Sequence, residues 1–212
     1  MTMQLPAEAL QRARALLARG GRRLLGLAGP PGAGKSTVAA RLQAELGPVA
    51  RVVPMDGFHL AQAELQRLNR AGRKGAPDTF DAAGFVALLQ RLRQQRPGDG
   101  IVYAPDFRRE IEEPIAGALP IAADTPLLIV EGNYLLLDQG DWAGVRPLLD
   151  ECWHVAVEQD QRLAQLIARH QRHGRSAEEA RAWALGNDEP NARLVEAAGG
   201  RADWQLAWPA GF

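Results

Sequence analysis

The sequence predicts an α/β protein built on a doubly wound, mostly parallel sheet with helices on both faces. Three observations carry that reading. Short apolar runs alternate along the chain with segments of helical periodicity. The run at 127–130 is apolar at every position, as a central parallel strand covered on both faces must be. A length of 212 residues holds one such domain and falls short of two at about 100 to 200 residues each, so residues 1–212 are expected to be a single domain.

The elements follow in order. Residues 7–19 place Leu10, Ala13 and Leu17 at helical spacing behind Pro6, which suits a first turn. Residues 24–28 read as a buried strand closed by glycines. Val38, Leu42 and Leu46 then line one face of a helix that stops at Gly47 and Pro48. A second strand over 49–55 ends at Asp56 and Gly57, a helix follows over 60–70, and 72–77 reads as a mobile loop. Asp81 is placed to cap a helix over 82–95, with Phe80 and Phe85 as its hydrophobic staple and Pro97, Gly98 and Gly100 ending it. Strands are expected at 101–103, 127–130 and 153–157. Leu163, Leu166 and Ile167 share a face of the next helix, further helices cover about 176–186 and 190–198, and a last strand lies near 204–208.

Composition excludes several function classes. Hydrophobic residues at 46% and charged residues at 24% are ordinary globular usage. The 25 basic and 25 acidic residues cancel and aromatics are only 6%, so neither nucleic acid nor a membrane is expected as a partner. No apolar stretch approaches the roughly 20 residues of a membrane span, and the N-terminus lacks a secretory pattern, which predicts a cytoplasmic protein. The lone cysteine, Cys152, forms no internal disulfide, and four histidines without a cysteine cluster argue against zinc. An anionic ligand must therefore be caught by a local device.

That device is at residues 29–36. Gly29, Pro30, Pro31, Gly32, Ala33, Gly34, Lys35 and Ser36 satisfy G-x-x-x-x-G-K-[ST] between a predicted strand and a predicted helix. Four residues between the outer glycines let main-chain N–H groups turn inward on a phosphate, and the helix N-terminus adds partial positive charge. Lys35 is then placed for the β and γ phosphates of a nucleoside triphosphate, Ser36 for Mg²⁺, and Thr37 completes the set. The chain has 23 arginines but only two lysines, Lys35 and Lys74. A lysine in so arginine-rich a chain fits a pocket too compact for a planar guanidinium.

Five segments resemble the phosphoribulokinase, uridine kinase and pantothenate kinase superfamily: GPPGAGKST, MDGFHL at 55–60, KGAPDTFD at 74–81, LLIVEGNYLLL at 127–137 and NDEPNARLV at 187–195. The resemblance runs from about residue 22 to about residue 200 and is strongest to a small bacterial nucleoside- or fructose-kinase-like subgroup. It implies a P-loop NTPase fold with a small helical lid over about 160–186, ATP and Mg²⁺ as donor and metal, and a small hydroxylated metabolite as acceptor, in a monomer or homodimer. Asp56 matches the catalytic aspartate. Glu131 stands where many P-loop proteins carry a metal-organising aspartate, and the glutamate is itself a uridine-kinase feature. Arg169 is the preferred lid arginine among Arg162, Arg169, Arg172 and Arg175, and Asn191 lies near the adenine by analogy.

The chemistry agrees with the resemblance. A neutral alcohol is a weak nucleophile, and a carboxylate at a strand tip can orient it and accept its proton. On the acceptor side the candidates are Asp56, His59, Phe80, Tyr103 and Asp106, with Lys74 a further loop candidate. Tyr103 and Asp106 echo the uridine kinase Tyr-Asp-Phe segment, with the tyrosine displaced and Pro105 in its place. Two other functions stay open: a nucleoside monophosphate kinase, against which Asp56 argues, and a regulatory P-loop NTPase without a small-molecule acceptor.

Overall fold

The computed structural model describes residues 4–208. In chain order the elements are α1 (Ala7–Ala18), β1 (Arg23–Ala28), α2 (Lys35–Leu46), β2 (Ala50–Pro54), α3 (Gln62–Arg67), α4 (Ala82–Gln94), β3 (Val102–Arg108), β4 (Glu113–Ile121), β5 (Leu127–Gly132), β6 (Glu151–Ala156), α5 (Gln159–Arg172), α6 (Ala177–Trp183), α7 (Glu189–Ala198) and β7 (Trp204–Ala207). Five strands form one sheet in the order β2-β5-β1-β6-β7. Every neighbouring pair in it is parallel.

Side-chain alternation along the central strands divides the core into two layers. Leu24 and Ala28 of β1, with Leu128 and Val130 of β5, pack with Phe85 and Leu89 of α4 and Val195 of α7. Leu25 and Leu27, with Leu127 and Ile129, pack on the other face with Ala13 and Leu16 of α1 and Val38 and Leu42 of α2. Both faces are covered, which is why these strands read as unbroken apolar runs.

Two expectations need correction. The strand at 101–103 is longer and does not join the main sheet: β3 pairs antiparallel with β4 as a separate two-stranded sheet. The segment 72–77 runs from one 3-10 turn, Ala71–Arg73, into the next, Pro77–Thr79. It is pinned there, since Asn187 Nδ2 donates to the Lys74 carbonyl at 2.8 Å and the Tyr134 hydroxyl donates to the Gly75 carbonyl. Asp81 caps α4 as expected, its Oδ1 accepting from the Gly84 N–H at 2.8 Å.

Candidate active site

The site lies beyond the carboxyl ends of β1, β2 and β5. The chain leaves β1 at Ala28, curls through residues 29–34 and enters α2 at Lys35. Gly32 has φ +83°, and a Cβ there would lie 3.0 Å from the Arg162 carbonyl oxygen, so both conformation and space demand glycine. Lys35 is buried, and its ammonium donates to the Pro30 carbonyl at 3.0 Å. Burial pushes it down from the ordinary lysine value to about 8, against the attraction of Glu131 and Asp56.

The two acids come from neighbouring strand ends. Glu131 pairs in register with Pro54 of β2 on one side and Leu27 of β1 on the other. Its Oε1 accepts from the Ser36 hydroxyl at 3.1 Å. Burial, with the Asp56 charge beside it, pushes the Glu131 carboxyl above its usual range, while Lys35 and Ser36 oppose. Asp56 follows β2 in the 3-10 turn Met55–Phe58. Burial acts to raise its carboxyl too, but His59, charged only in the acid range where Asp56 titrates, together with Arg109 and Lys35 outweighs that and holds it below the usual carboxylate range. Gly57 lets this turn press against β3, where a Cβ would meet the Pro105 carbonyl oxygen at 2.4 Å.

His59 Nδ1 lies 2.8 Å from the Asp56 carbonyl oxygen. A carbonyl only accepts, so Nδ1 carries the proton, and burial keeps the ring neutral by lowering its pKa. Nε2 is then the acceptor nitrogen. The ring packs between Phe80 and Phe107, with centroids 4.0 and 4.7 Å away.

Two cavities flank the phosphate loop. One, of about 790 Å³, lies between the loop and helix α5 and is lined by Gly32, Gly34, Thr37, Gln165 and Arg172 among others. The second, of about 480 Å³, holds Asp56, His59, Phe80, Phe107, Glu131 and Lys74. Lys35, Ser36, Arg109 and Arg169 line both, so these four side chains stand at the junction. Burial and the like charge of Arg109 push the Arg169 guanidinium down from its usual value. Of the other arginines expected in a lid, Arg162 is buried, pairs with Glu189 and donates to the Pro31 carbonyl at 3.3 Å, tying α5 to the loop. Arg172 lines the first cavity, and Arg175 lies 4.1 Å over the Trp183 ring in the second.

Three of the expected site residues lie elsewhere. Tyr103 is half exposed on β3 and Asp106 stands beside Arg108 at 3.9 Å; neither lines a cavity at the loop. A register shift between Ala104 and Asp106 interrupts the alternation of β3, and Phe107 enters the cavity instead. Asn191 of α7 is buried, donates to the Asn187 carbonyl of the preceding π-helical turn at 2.9 Å, and lines neither cavity. Sequence reading missed Arg109, whose guanidinium lies 3.0 Å from Asp56 Oδ2. It also missed Asp188, which accepts from His170 at 2.7 Å in the second cavity. No spacing rule joins residues so distant in the chain. The π-helical turn Ala184–Asp188 that presents Asp188 is the kind of irregularity that marks functional sites, but it leaves no sequence signature.

Residues 24–192 match the phosphoribulokinase / uridine kinase family. The chain belongs to that family. It is a P-loop kinase, a phosphotransferase that uses ATP. A Schizosaccharomyces pombe protein provisionally named a uridine kinase is 35% identical over 89% of this chain and 84% of its own. A solved Silicibacter structure, provisionally a fructose transport system kinase, is 39% identical with a TM-score of 0.80, covering 94% of this chain and 98% of that one. A Saccharomyces cerevisiae P-loop protein with a circular permutation shares the fold at a TM-score of 0.82 and 18% identity, covering 97% and 99%. Among the described residues, no helix of this kinase is long and apolar enough to cross a membrane.

Proposed function

We propose that the chain transfers the γ-phosphoryl group of ATP to a hydroxyl of a small metabolite, such as a nucleoside, pantothenate or a sugar. One observation carries the reading: the loop-side and acid-side cavities meet at Lys35, Ser36, Arg109 and Arg169. A phosphoryl group passing between the cavities is then flanked by three cations, which suits a transition state whose charge spreads over the transferring oxygens.

The donor set also fits magnesium. Ser36 Oγ and Glu131 Oε1 are hard oxygen donors 3.1 Å apart. Among the described residues no cluster of three His, Cys, Asp or Glu is built to hold a metal. An ion that keeps its waters and shares phosphate oxygens suits so sparse a set. Magnesium bound there would neutralise phosphate charge. Lys35 and the loop amides hold the triphosphate, Arg169 closes over it from α5, and Asp56 orients the acceptor hydroxyl and takes its proton. Held below the usual carboxylate range, Asp56 is ionised at neutral pH and is a weak base, which is adequate where proton transfer lags behind departure of the phosphoryl group. The neutral Nε2 of His59 can accept from a second hydroxyl.

The test is acceptor-dependent ADP release across nucleosides, pantothenate, fructose and other sugars, repeated with Asp56→Asn. The variant is expected to bind ATP as before while turnover falls by at least ~10². ADP release that ignores every acceptor would favour a regulatory NTPase instead.

A further inference from the structure

Arg169 lies in the last turn of α5, and Gly174, at φ +95°, turns the chain away just past the end of that helix. Helix termini open at little free-energy cost, yet a cation that meets a transferring phosphoryl group has to be held in place. The contact that holds this turn joins His170 to Asp188. Nε2 lies 2.7 Å from Oδ2, with the side chains 15% and 10% exposed. A carboxylate only accepts, so Nε2 carries the proton.

Asp188 is the fixed end of that contact. It closes the π-helical turn Ala184–Asp188, which runs without a break from α6 into α7. Three successive side chains there reach three different places. Asn187 donates to the Lys74 carbonyl at 2.8 Å, Asp188 takes His170, and Glu189 takes Arg162 and accepts from Gln159 at 3.2 Å. Arg162 and His170 stand about 12 Å apart along α5 at 1.5 Å per residue, so the same short stretch grips the helix near both of its ends. A π turn, with its i→i+5 bonds, rotates the chain less per residue than an α-helix does. That brings two consecutive acids to bear on one neighbouring helix.

Stability does not account for the His170–Asp188 pair. A contact between ionisable groups this far out of water adds little net free energy, because attraction to the partner is offset by lost hydration. What it fixes is orientation. Arg169 directly precedes His170, is attracted by both Asp56 and Asp188, and lines both cavities beside Lys35. We infer that Asp188 is a positioning residue, which through His170 fixes the turn of α5 that presents Arg169 to the transferring phosphoryl group. This rests on the kinase reading above and deepens it: the cation that faces the γ-phosphate from α5 is set by a turn that also holds the Lys74 wall of the second cavity.

The experiment is a double-mutant cycle of Asp188→Ala with Arg169→Ala, read as kcat with ATP and the acceptor that turns over fastest in the panel above. Asp188→Ala alone is expected to lower kcat at least ~10-fold with a smaller change in KM for the acceptor. In the Arg169→Ala background the same substitution should cost less than ~2-fold, because the group it positions is gone. Asp188→Asn keeps an oxygen for the His170 N–H and should recover most of the lost kcat. His170→Leu breaks the contact from the other side and should repeat the cycle if Asp188→Ala does not fold. An equal loss with and without Arg169 would mean that Asp188 acts on substrate directly or only supports the fold. That result, or an unchanged kcat in both Asp188→Ala and His170→Leu, would overturn the inference and leave the kinase standing. ADP release by the unmodified protein that ignores every acceptor would overturn both.

Discussion

Lys35 is held near a pKa of about 8 by burial, so its charge state is open to change when a triphosphate arrives. Folding lowers this lysine, and a bound polyanion raises it again, so nucleotide binding must take up protons. The expected uptake at pH 8 is about half a proton, falling to roughly a tenth at pH 7. Calorimetric titration with ATP in buffers of different ionisation enthalpy measures it directly. Affinity should also weaken as pH rises above 8, because the free site then holds a neutral amine. Zero uptake at pH 8 would mean that Lys35 does not meet the phosphates. At this scale the sequence was legible wherever function demands a local pattern. Residues 29–36 had to be contiguous to make the loop, and Asp56 and Glu131 had to end apolar strands. Arg109 and Phe107 were not legible, because their place depends on a slip in β3 register that no periodicity announces.

Among the elements, α5 carries a buried ion pair whose loss can be tested. The Arg162–Glu189 pair joins it to α7, with side chains 4% and 10% exposed, and Arg162 also reaches the Pro31 carbonyl of the phosphate loop. Removing one partner leaves a buried charge, at a cost of about 3–5 kcal/mol. Arg162→Met is therefore expected to lower Tm by about 6–20 °C. The double variant Arg162→Met with Glu189→Leu should recover most of that loss, since no orphaned charge remains, but keep a raised KM for ATP because the tie to Pro31 is gone. A double variant no more stable than the single one would show that the pair is not the source of the effect. The parallel strands were readable because burial on both faces forces unbroken apolar runs. Strand β4 was not: its sequence, EPIAGALPI, has two prolines, a central glycine and few buried positions, as an edge ribbon outside the main core allows.

On the scale of the whole molecule, the cavity beside the phosphate loop draws on residues far apart in the chain: the loop after β1, the start of α2, Arg109 beyond β3, and α5. The two core layers meet on the same central strands, β1 and β5. The phosphate loop and α5 are further joined through Arg162. The whole chain is therefore expected to unfold in one transition that nucleotide binding shifts as a unit. With ATP and magnesium at 100 times Kd, binding contributes about 2.7 kcal/mol. At about 2–4 °C per kcal/mol for a chain of this size, Tm should rise by roughly 5–11 °C. Lys35→Ala should fold normally and lose most of that shift, because its effect falls on the ligated state. Calorimetry with and without nucleotide decides the matter. Two transitions, of which only one moved with ATP, would make the lid a separate cooperative unit, and closure over the phosphates would then be a docking event rather than part of the fold.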